Sequence, residues 1–138
     1  MVEVEISEIS IAKSSGTPVV FLKEKEGTDK RLLPIWIGKP EAAAIQSQLN
    51  QDSAPSRPMT HDLVKTIIES FNAKVASICV HSMEEDTFFG RMTLETEGES
   101  IEIDSRPSDA IALALRFGAP LYVATAVIRE NGISEEEL

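Results

Sequence analysis

A chain of 138 residues, 42% of them hydrophobic, is long enough to form one domain with a buried core. Its formal net charge of −10 argues against a protein that coats nucleic acid non-specifically, because such binding needs lysine and arginine to displace counterions from phosphates. No apolar run approaches the roughly 20 residues that span a bilayer, and the acidic, alternating N-terminus is unlike a signal peptide. The single cysteine, Cys79, excludes an internal disulfide and a thiolate metal cluster, so a cytoplasmic protein without a membrane segment is expected.

The charge is distributed unevenly. Residues 1–68 contain nine acidic and eight basic residues, whereas residues 69–138 contain fourteen acidic and five basic ones. Excess acid on one part of a chain is typical of a solvated face. Any contact with nucleic acid must therefore be local, through a basic pocket or metal ions.

Three strands are predicted at the start of the chain. Apolar residues alternate with polar ones over residues 2–6, and the alternation changes phase at Ser7-Glu8, which indicates a β-bulge. Strands at 19–25 and 31–37 follow, and Pro34 inside the third favours an edge position. Together they predict an antiparallel meander, whose edges need a partner or a blunting feature, and a homo-oligomer such as a dimer is one solution.

Two helices are expected next. A helix over residues 40–50 is followed by a polar loop at 51–57, which is interpreted as a lid or a connector. Thr60 is predicted to cap the second helix, which is the most clearly amphipathic one. Its apolar positions are Leu63, Val64, Ile67, Ile68 and Phe71.

The second half of the chain predicts strands at 74–81, 87–95 and 99–104. In the last of these, Ile101 and Ile103 share one face, so Glu102 and Asp104 point the other way. A helix that ends near Phe117-Gly118 is apolar on nearly every side from Ala110 to Leu115, which predicts that the rest of the protein covers it. A short strand at 120–123 and a helical segment at 125–130 follow.

The predicted fold class is α+β, with an antiparallel or mixed β-sheet of several strands and about three main helices packed against it. No internal repeat or linker divides the chain, so one domain is expected over residues 1–132, followed by an acidic C-terminal tail at 133–138 that is expected to fray.

A basic residue precedes a proline and an acid follows at three places: Lys39-Pro40-Glu41, Arg57-Pro58 with Asp62, and Arg106-Pro107 with Asp109. Proline and acids suit the first turn of a helix, whereas a basic residue there opposes the helix dipole. Two interpretations remain open. Either each acid neutralises its basic neighbour, or the helix N-termini and basic side chains converge on a phosphate.

Three blocks of the sequence resemble the bifunctional nuclease domain family. They are RLLPIWIG (residues 31–38) with Glu41-Ala42, RPMTHDL (residues 57–63) and DSRPSDAIALA (residues 104–114). The resemblance extends over about residues 1–132. It implies an α+β domain that cleaves both RNA and DNA.

Roles for individual residues follow from their chemistry. Carboxylates can hold Mg²⁺ or Mn²⁺, a guanidinium can clamp a phosphate and a histidine can transfer a proton. The predicted catalytic residues are Asp104, Asp109, His61 and Asp62, the predicted substrate-binding residues are Arg106, Arg57 and Lys39, and the predicted metal ligands are Asp104, Asp109 and Glu41. The expected activity is hydrolysis of phosphodiester bonds in RNA and DNA with divalent-metal assistance.

Each of these roles has a structural alternative. Asp109 can be an ordinary first-turn acid in a helix capped by Ser105 or Ser108, and His61 an exposed first-turn residue. Asp104 can pair with Arg106 or Arg116. These alternatives describe a non-catalytic, oligomeric domain that binds a ligand or partner and whose Arg/Asp junctions are structural ion pairs.

Three other side chains are interpreted as structural or have two possible roles. Trp36 can stack a nucleobase, or it can pack within the sheet or at a subunit interface. His81 is expected to be structural, and Cys79 a small buried hydrophobe.

Overall fold

The computed structural model describes residues 1–50 and 56–137. Most of the loop predicted at 51–57 lies outside the described residues, so its interpretation as a lid or a connector is not tested. The described strands are β1 (Val2–Ile11), β2 (Pro18–Glu24), β3 (Leu32–Trp36), β4 (Ala73–Glu84), β5 (Thr87–Thr96), β6 (Glu99–Ser105) and β7 (Leu121–Val123). The described α-helices are α1 (Lys39–Leu49), α2 (Thr60–Ser70), α3 (Pro107–Phe117) and α4 (Thr125–Asn131).

The seven strands form one mixed sheet in the order β3-β2-β1-β7-β4-β5-β6. All neighbours are antiparallel except β7 and β4, which run parallel. This arrangement confirms the α+β class and the predicted meander β1-β2-β3. The bulge between Ile6 and Glu8 and the edge position of β3 are confirmed as well.

Helix α3 lies over the sheet and is buried, as its apolar sequence predicts. Its residues from Ala110 to Ala114 are at most 3% exposed. The start of the helix contacts β5 closely at Gly90, where a Cβ atom would lie 3.1 Å from the Ser105 carbonyl oxygen and 3.3 Å from the Pro107 backbone. Glycine at this position therefore sets the height of the α3 N-terminus above the sheet.

Helix α2 differs from the prediction in two ways. Met59, rather than Thr60, is the N-cap residue. Only Val64 and Ile68 pack against the core, and none of the residues of α2 is buried. The remaining apolar positions are 55%, 49% and 75% exposed at Leu63, Ile67 and Phe71, respectively. Three of the five apolar positions of this face are therefore uncovered.

The sheet curves so that its β3 edge approaches the middle strands. Helix α4 packs against both β3 and β4, although three strands separate these two in the sheet. The β4–β5 hairpin turns at Glu85 and Asp86, both with positive φ angles, as expected for a two-residue turn. The curvature places the end of β3 opposite this hairpin.

Two contacts connect residues 133–137 to the rest of the domain. Ile133 forms a β-bridge with Leu32, and Glu135, in a short 3₁₀ turn, pairs with Lys23. Acidic side chains along β6 blunt the other edge of the sheet. Within the described residues, every helix is too short or too polar to cross a membrane.

Candidate active site

The N-termini of α1, α2 and α3 meet at one cavity of about 420 Å³. Glu41 enters it from α1, His61 from α2, and Arg106 and Asp109 from the start of α3. Pro40 and Pro107 occupy first-turn positions of α1 and α3, where the missing N–H is not needed. Residues of two of the three basic–proline junctions, those at the starts of α1 and α3, thus face a common space together with His61 of α2.

Asp109 is the centre of the cluster. Its Oδ1 lies 2.9 Å from His61 Nε2, and its Oδ2 accepts a 2.8 Å hydrogen bond from Arg106 Nε. Arg106 Nη2 donates a second bond of 3.2 Å to Oδ1. The side chain of His61 is only 15% exposed, so the interpretation of His61 as an exposed first-turn residue is wrong.

The electrostatics of the cluster favour an ionised Asp109. Partial burial alone would raise the pKa of Asp109, but the hydrogen bonds from Arg106 and His61 outweigh it and hold the pKa below its ordinary value. The same carboxylate raises the pKa of Arg106. An ionised carboxylate can only accept hydrogen bonds, so His61 must carry its proton on Nε2 when it is neutral. Nδ1 is then free to accept a proton.

The guanidinium of Arg106 reaches outward from this cluster. Its side chain is 65% exposed, and Nη2 lies 3.9 Å from Glu41 Oε2. Nη1 has no hydrogen-bond partner among residues 1–50 and 56–137. Helix α3 has Arg106 as its N-cap, without a capping side chain, so the predicted caps Ser105 and Ser108 are wrong. Arg106 therefore has donors available for an anion.

The carboxylate of Glu41 lies in the space that a side chain at position 38 would occupy. A Cβ atom at Gly38 would overlap Glu41 Oε1. Any other residue at position 38 would force the carboxylate of Glu41 to move.

Arg116 ties the three helices together beneath the cavity. Its side chain is 2% exposed, and its Nε donates a 2.6 Å hydrogen bond to Asp62 Oδ1. Nη1 donates to the carbonyl oxygens of Ala44 in α1 and Ala112 in α3, at 3.1 and 3.0 Å. Nη2 donates to Ser47 Oγ at 3.3 Å. From the sequence, Arg116 was named only as a possible partner of Asp104. That pairing is wrong, because Arg116 pairs with Asp62.

Both carboxylate oxygens of Asp62 accept hydrogen bonds from other residues of the protein. Oδ1 accepts the bond from Arg116, and Oδ2 accepts a 2.8 Å bond from the Met59 backbone N–H. Burial opposes ionisation, but these two bonds prevail and lower the pKa of Asp62. Asp62 thus anchors the first turn of α2, the turn that carries His61.

Three other predicted site residues lie outside this cluster. Asp104 stands opposite Arg91 in the β5–β6 pairing, and alternation places it on the face away from Met92 and Ile103, whereas α3 covers the Met92 face. Arg57 is exposed immediately before α2, and Lys39 is exposed at the first residue of α1. The structure brings together Glu41, His61, Arg106 and Asp109, with Asp62 one layer below.

These side chains do not fit a preformed carboxylate metal centre. Both oxygens of Asp109 are engaged by cationic or N–H donors, and Asp104 points to the other face of the sheet. No group of three or more His, Cys, Asp or Glu side chains placed to hold a metal ion occurs among residues 1–50 and 56–137. In the described part of the chain, the acids that face the cavity are Glu41 and Asp109.

A second, larger cavity of about 710 Å³ adjoins the first and shares Glu41 and Arg106 with it. Trp36 lines this cavity and is 59% exposed, which excludes close packing within the chain as its role. Sequence reasoning did not connect Trp36 with Arg106, because their proximity depends on the curvature of the sheet.

The arrangement has the parts of a hydrolytic site that acts on an anion. A carboxylate orients a histidine whose Nδ1 has no hydrogen-bond partner in the described part of the chain, and an arginine with spare donors stands beside it. The helix N-termini add positive potential where a phosphate would lie.

Comparison with known proteins is consistent with this geometry. Residues 20–136 match the sequence profile of the bifunctional nuclease domain. The chain is similar to an uncharacterised protein of Mycobacterium tuberculosis, with 37% identity over 133 residues, which is 96% of this chain and 77% of that protein. It is also similar to bifunctional nuclease 1 of Oryza sativa subsp. japonica, with 30% identity over 83% of this chain, and to bifunctional nuclease 2 of the same plant, with 27% identity over 93%. The matched regions cover 35% and 40% of these two plant proteins.

Proposed function

Because the chain belongs to the bifunctional nuclease domain family, we propose that it hydrolyses phosphodiester bonds in RNA and DNA at the cavity where α1, α2 and α3 meet. The observation that supports this most strongly is the hydrogen-bonded series His61–Asp109–Arg106. It combines a proton acceptor, its orienting carboxylate and an anion-binding group within one first-turn cluster.

In the proposed reaction, Nδ1 of His61 takes a proton from a water molecule as the water oxygen bonds to phosphorus. The bond from phosphorus to the leaving oxygen breaks, and the leaving oxygen takes a proton from solvent. Asp109 holds the imidazole in the required tautomer and stabilises it once it is protonated. Arg106 binds the phosphoryl oxygens through Nη1 and offsets their developing charge.

The remaining predicted residues have supporting or untested roles. We interpret Asp62 as a positioning residue, since its oxygens serve Met59 and Arg116. Lys39 and Arg57 are exposed at two helix starts, where they can contact phosphates that flank the cleaved bond. A role for Asp104 in catalysis or metal binding stays a prediction, as does a cytoplasmic location.

The experiment that tests the activity is a cleavage assay on single- and double-stranded RNA and DNA, with and without a chelator. Cleavage products are expected from both RNA and DNA. Assistance by Mg²⁺ or Mn²⁺ stays a prediction, and the chelator arm decides it. Since both oxygens of Asp109 are already engaged by His61 and Arg106, neither ion should raise the thermal midpoint of the free protein. Absence of cleavage on all substrates would contradict the proposed activity.

The alternative is a ligand- or partner-binding domain without catalysis. It is supported by the ion pairs Arg116–Asp62 and Arg106–Asp109, in which each charge already has a partner. A catalytically inactive protein that still binds nucleotides would favour this alternative.

We also propose that the protein forms a homodimer through the exposed face of α2. Leu63, Ile67 and Phe71 are spaced by four residues, so two copies crossing antiparallel at Ile67 would place Leu63 against the partner subunit's Phe71. This surface is separate from the proposed active site.

Sedimentation velocity tests this dimer. The wild type is expected to sediment as a dimer, and Phe71→Asp as a monomer, because the substitution places a carboxylate within the apolar strip. Ile11→Asp, at an exposed apolar residue on β1, is the matched control and should leave the dimer intact. A monomeric wild type at high protein concentration would contradict the proposal.

A further inference from the structure

The larger cavity beside the proposed active site has features that the hydrolytic reaction does not use. Its volume is about 710 Å³, within the range of small-molecule sites. Trp36, Phe88 and Met83 form its apolar part, and Arg106 and Glu41 form the wall that it shares with the smaller cavity. We propose that this cavity binds one unpaired nucleobase, stacked on Trp36, while Arg106 holds the phosphate of the same nucleotide. The inference rests on the proposed function and assigns it a substrate class, single-stranded nucleic acid.

Trp36 is the first argument for a base. It is the last residue of the edge strand β3, and its side chain is 59% exposed although it lines a cavity. Exposure of a large aromatic surface inside a concave site leaves a flat apolar face for a planar ligand. Stacking of bases on aromatic side chains is a general mode of single-strand recognition and tolerates any base, because every base has a π-face.

The position of Arg106 is the second argument. The same guanidinium lines both cavities, with Nη1 unpaired within the described part of the chain. A nucleotide whose phosphate lies on Arg106 can bury its base in one of these two cavities, toward Trp36 or toward His61. The His61 side already accommodates the attacking water in the proposed reaction, which leaves the Trp36 side for the base.

The polar groups at the cavity suit the edge of a base better than a second phosphate. Glu41, Asp86 and Asn131 line it together with the aromatic residues. Arg106 is the only basic residue in this lining among the described residues. Carboxylates repel a second phosphate but accept hydrogen bonds from the amino groups of adenine, cytosine and guanine. A base held in a duplex is stacked and paired, and it cannot enter without being extruded.

Fluorescence measures this binding directly, because Trp36 is the only tryptophan in the chain. The probe is a single-stranded hexadeoxyadenylate with phosphorothioate linkages, which resist cleavage. Titration is expected to quench the fluorescence of Trp36. An abasic strand of the same length and charge should quench weakly, and so should a hairpin that holds the six adenines in a stable paired stem. Equal quenching by the abasic strand would overturn the proposal.

Variants separate stacking from general changes to the protein. Trp36→Leu should weaken binding of a dye-labelled hexamer by about tenfold in an anisotropy titration, within the range that stacking on an aromatic residue supplies, whereas Trp36→Phe should lose less. Ile11→Ala, at an apolar residue of β1 that is 59% exposed and lies outside both cavities, is the control and should bind as the wild type does.

The outcomes also separate this inference from the proposed function. Base-dependent quenching without any cleavage supports the base site and contradicts the hydrolytic activity. Cleavage whose KM and strand preference are unchanged in Trp36→Leu supports the activity and overturns the base site.

Discussion

Replacing His61 with asparagine is expected to lower the rate of phosphodiester cleavage by about 10²- to 10⁴-fold, the range that a positioned general base contributes. The amide of asparagine extends only as far as Nδ1 of the histidine ring, so the substitution removes the hydrogen bond from Nε2 to Asp109. Asparagine also has no nitrogen that can accept a proton from water. The measurement is the initial rate of cleavage of a labelled single-stranded substrate, with cooperative urea unfolding as evidence of an intact fold.

The chain provides a matched control for this variant. His81 is the other histidine, and its ring contacts Ser82 on β4, outside the cavity that His61 lines. His81→Asn should cleave at the rate of the wild type. If His61→Asn is as fast as His81→Asn, then His61 is not the proton acceptor.

Replacing Asp62 with alanine is expected to have the largest effect on stability. The substitution leaves the charge of Arg116, whose side chain is 2% exposed, without its carboxylate partner. Removal of one member of a buried ion pair costs about 3–5 kcal/mol, and the partial exposure of Asp62 places the expected loss near the lower limit, about 3 kcal/mol. The free energy of unfolding from urea denaturation measures the loss.

An exposed ion pair serves as the control for Asp62→Ala. Arg91 and Glu102 lie 3.9 Å apart, with the Glu102 side chain 66% exposed, so Glu102→Ala should cost less than about 1 kcal/mol. The double variant Asp62→Ala with Arg116→Met removes the buried charge as well and should regain part of the lost stability. Equal losses for Asp62→Ala and Glu102→Ala would show that Arg116 does not depend on Asp62.

Local patterns predicted those parts of the fold that depend on neighbouring residues. The change of phase at Ser7-Glu8 is the bulge between Ile6 and Glu8, and the apolar run Ala110 to Leu115 is the core helix α3. The alternation of side chains along β6 also predicts that Asp104 and Ile103 lie on opposite faces of the sheet. The closeness of Asp104 to Asp109 in sequence nevertheless makes it a candidate site residue.

Features that depend on tertiary partners were not predictable in this way. Strand β7 has three residues, and nothing in them indicates insertion between β1 and β4. The period of α2 shows that Leu63 and Ile67 share a side, but not whether anything covers that side. Burial of α2 depends on where α3 lies, and α3 lies nearer to Val64 and Ile68 than to the outer positions.

The candidate site also depends on both local patterns and tertiary partners, so only part of it was predictable. The basic–proline junctions predict where the helices begin. The side chains of the cluster come from these three helix starts. The partner of each acid depends on the packing of α1 and α2 against α3, which sequence spacing does not report. A charged residue inside an otherwise apolar helix, such as Arg116, is the signal that could have revealed the buried network, since such a residue needs partners from neighbouring elements.

The central claim is that His61 and Asp109 act as one unit in cleaving a phosphodiester bond, and a double-mutant cycle tests it most directly. The values of kcat/KM are measured for the wild type, His61→Asn, Asp109→Asn and the variant with both substitutions, on one single-stranded substrate. If Asp109 acts by orienting His61, the double variant should be no more than about threefold slower than the slower single variant, because residues that work as a unit are not additive. A double variant whose loss equals the product of the two single losses, or an Asp109→Asn variant as active as the wild type, would contradict the account.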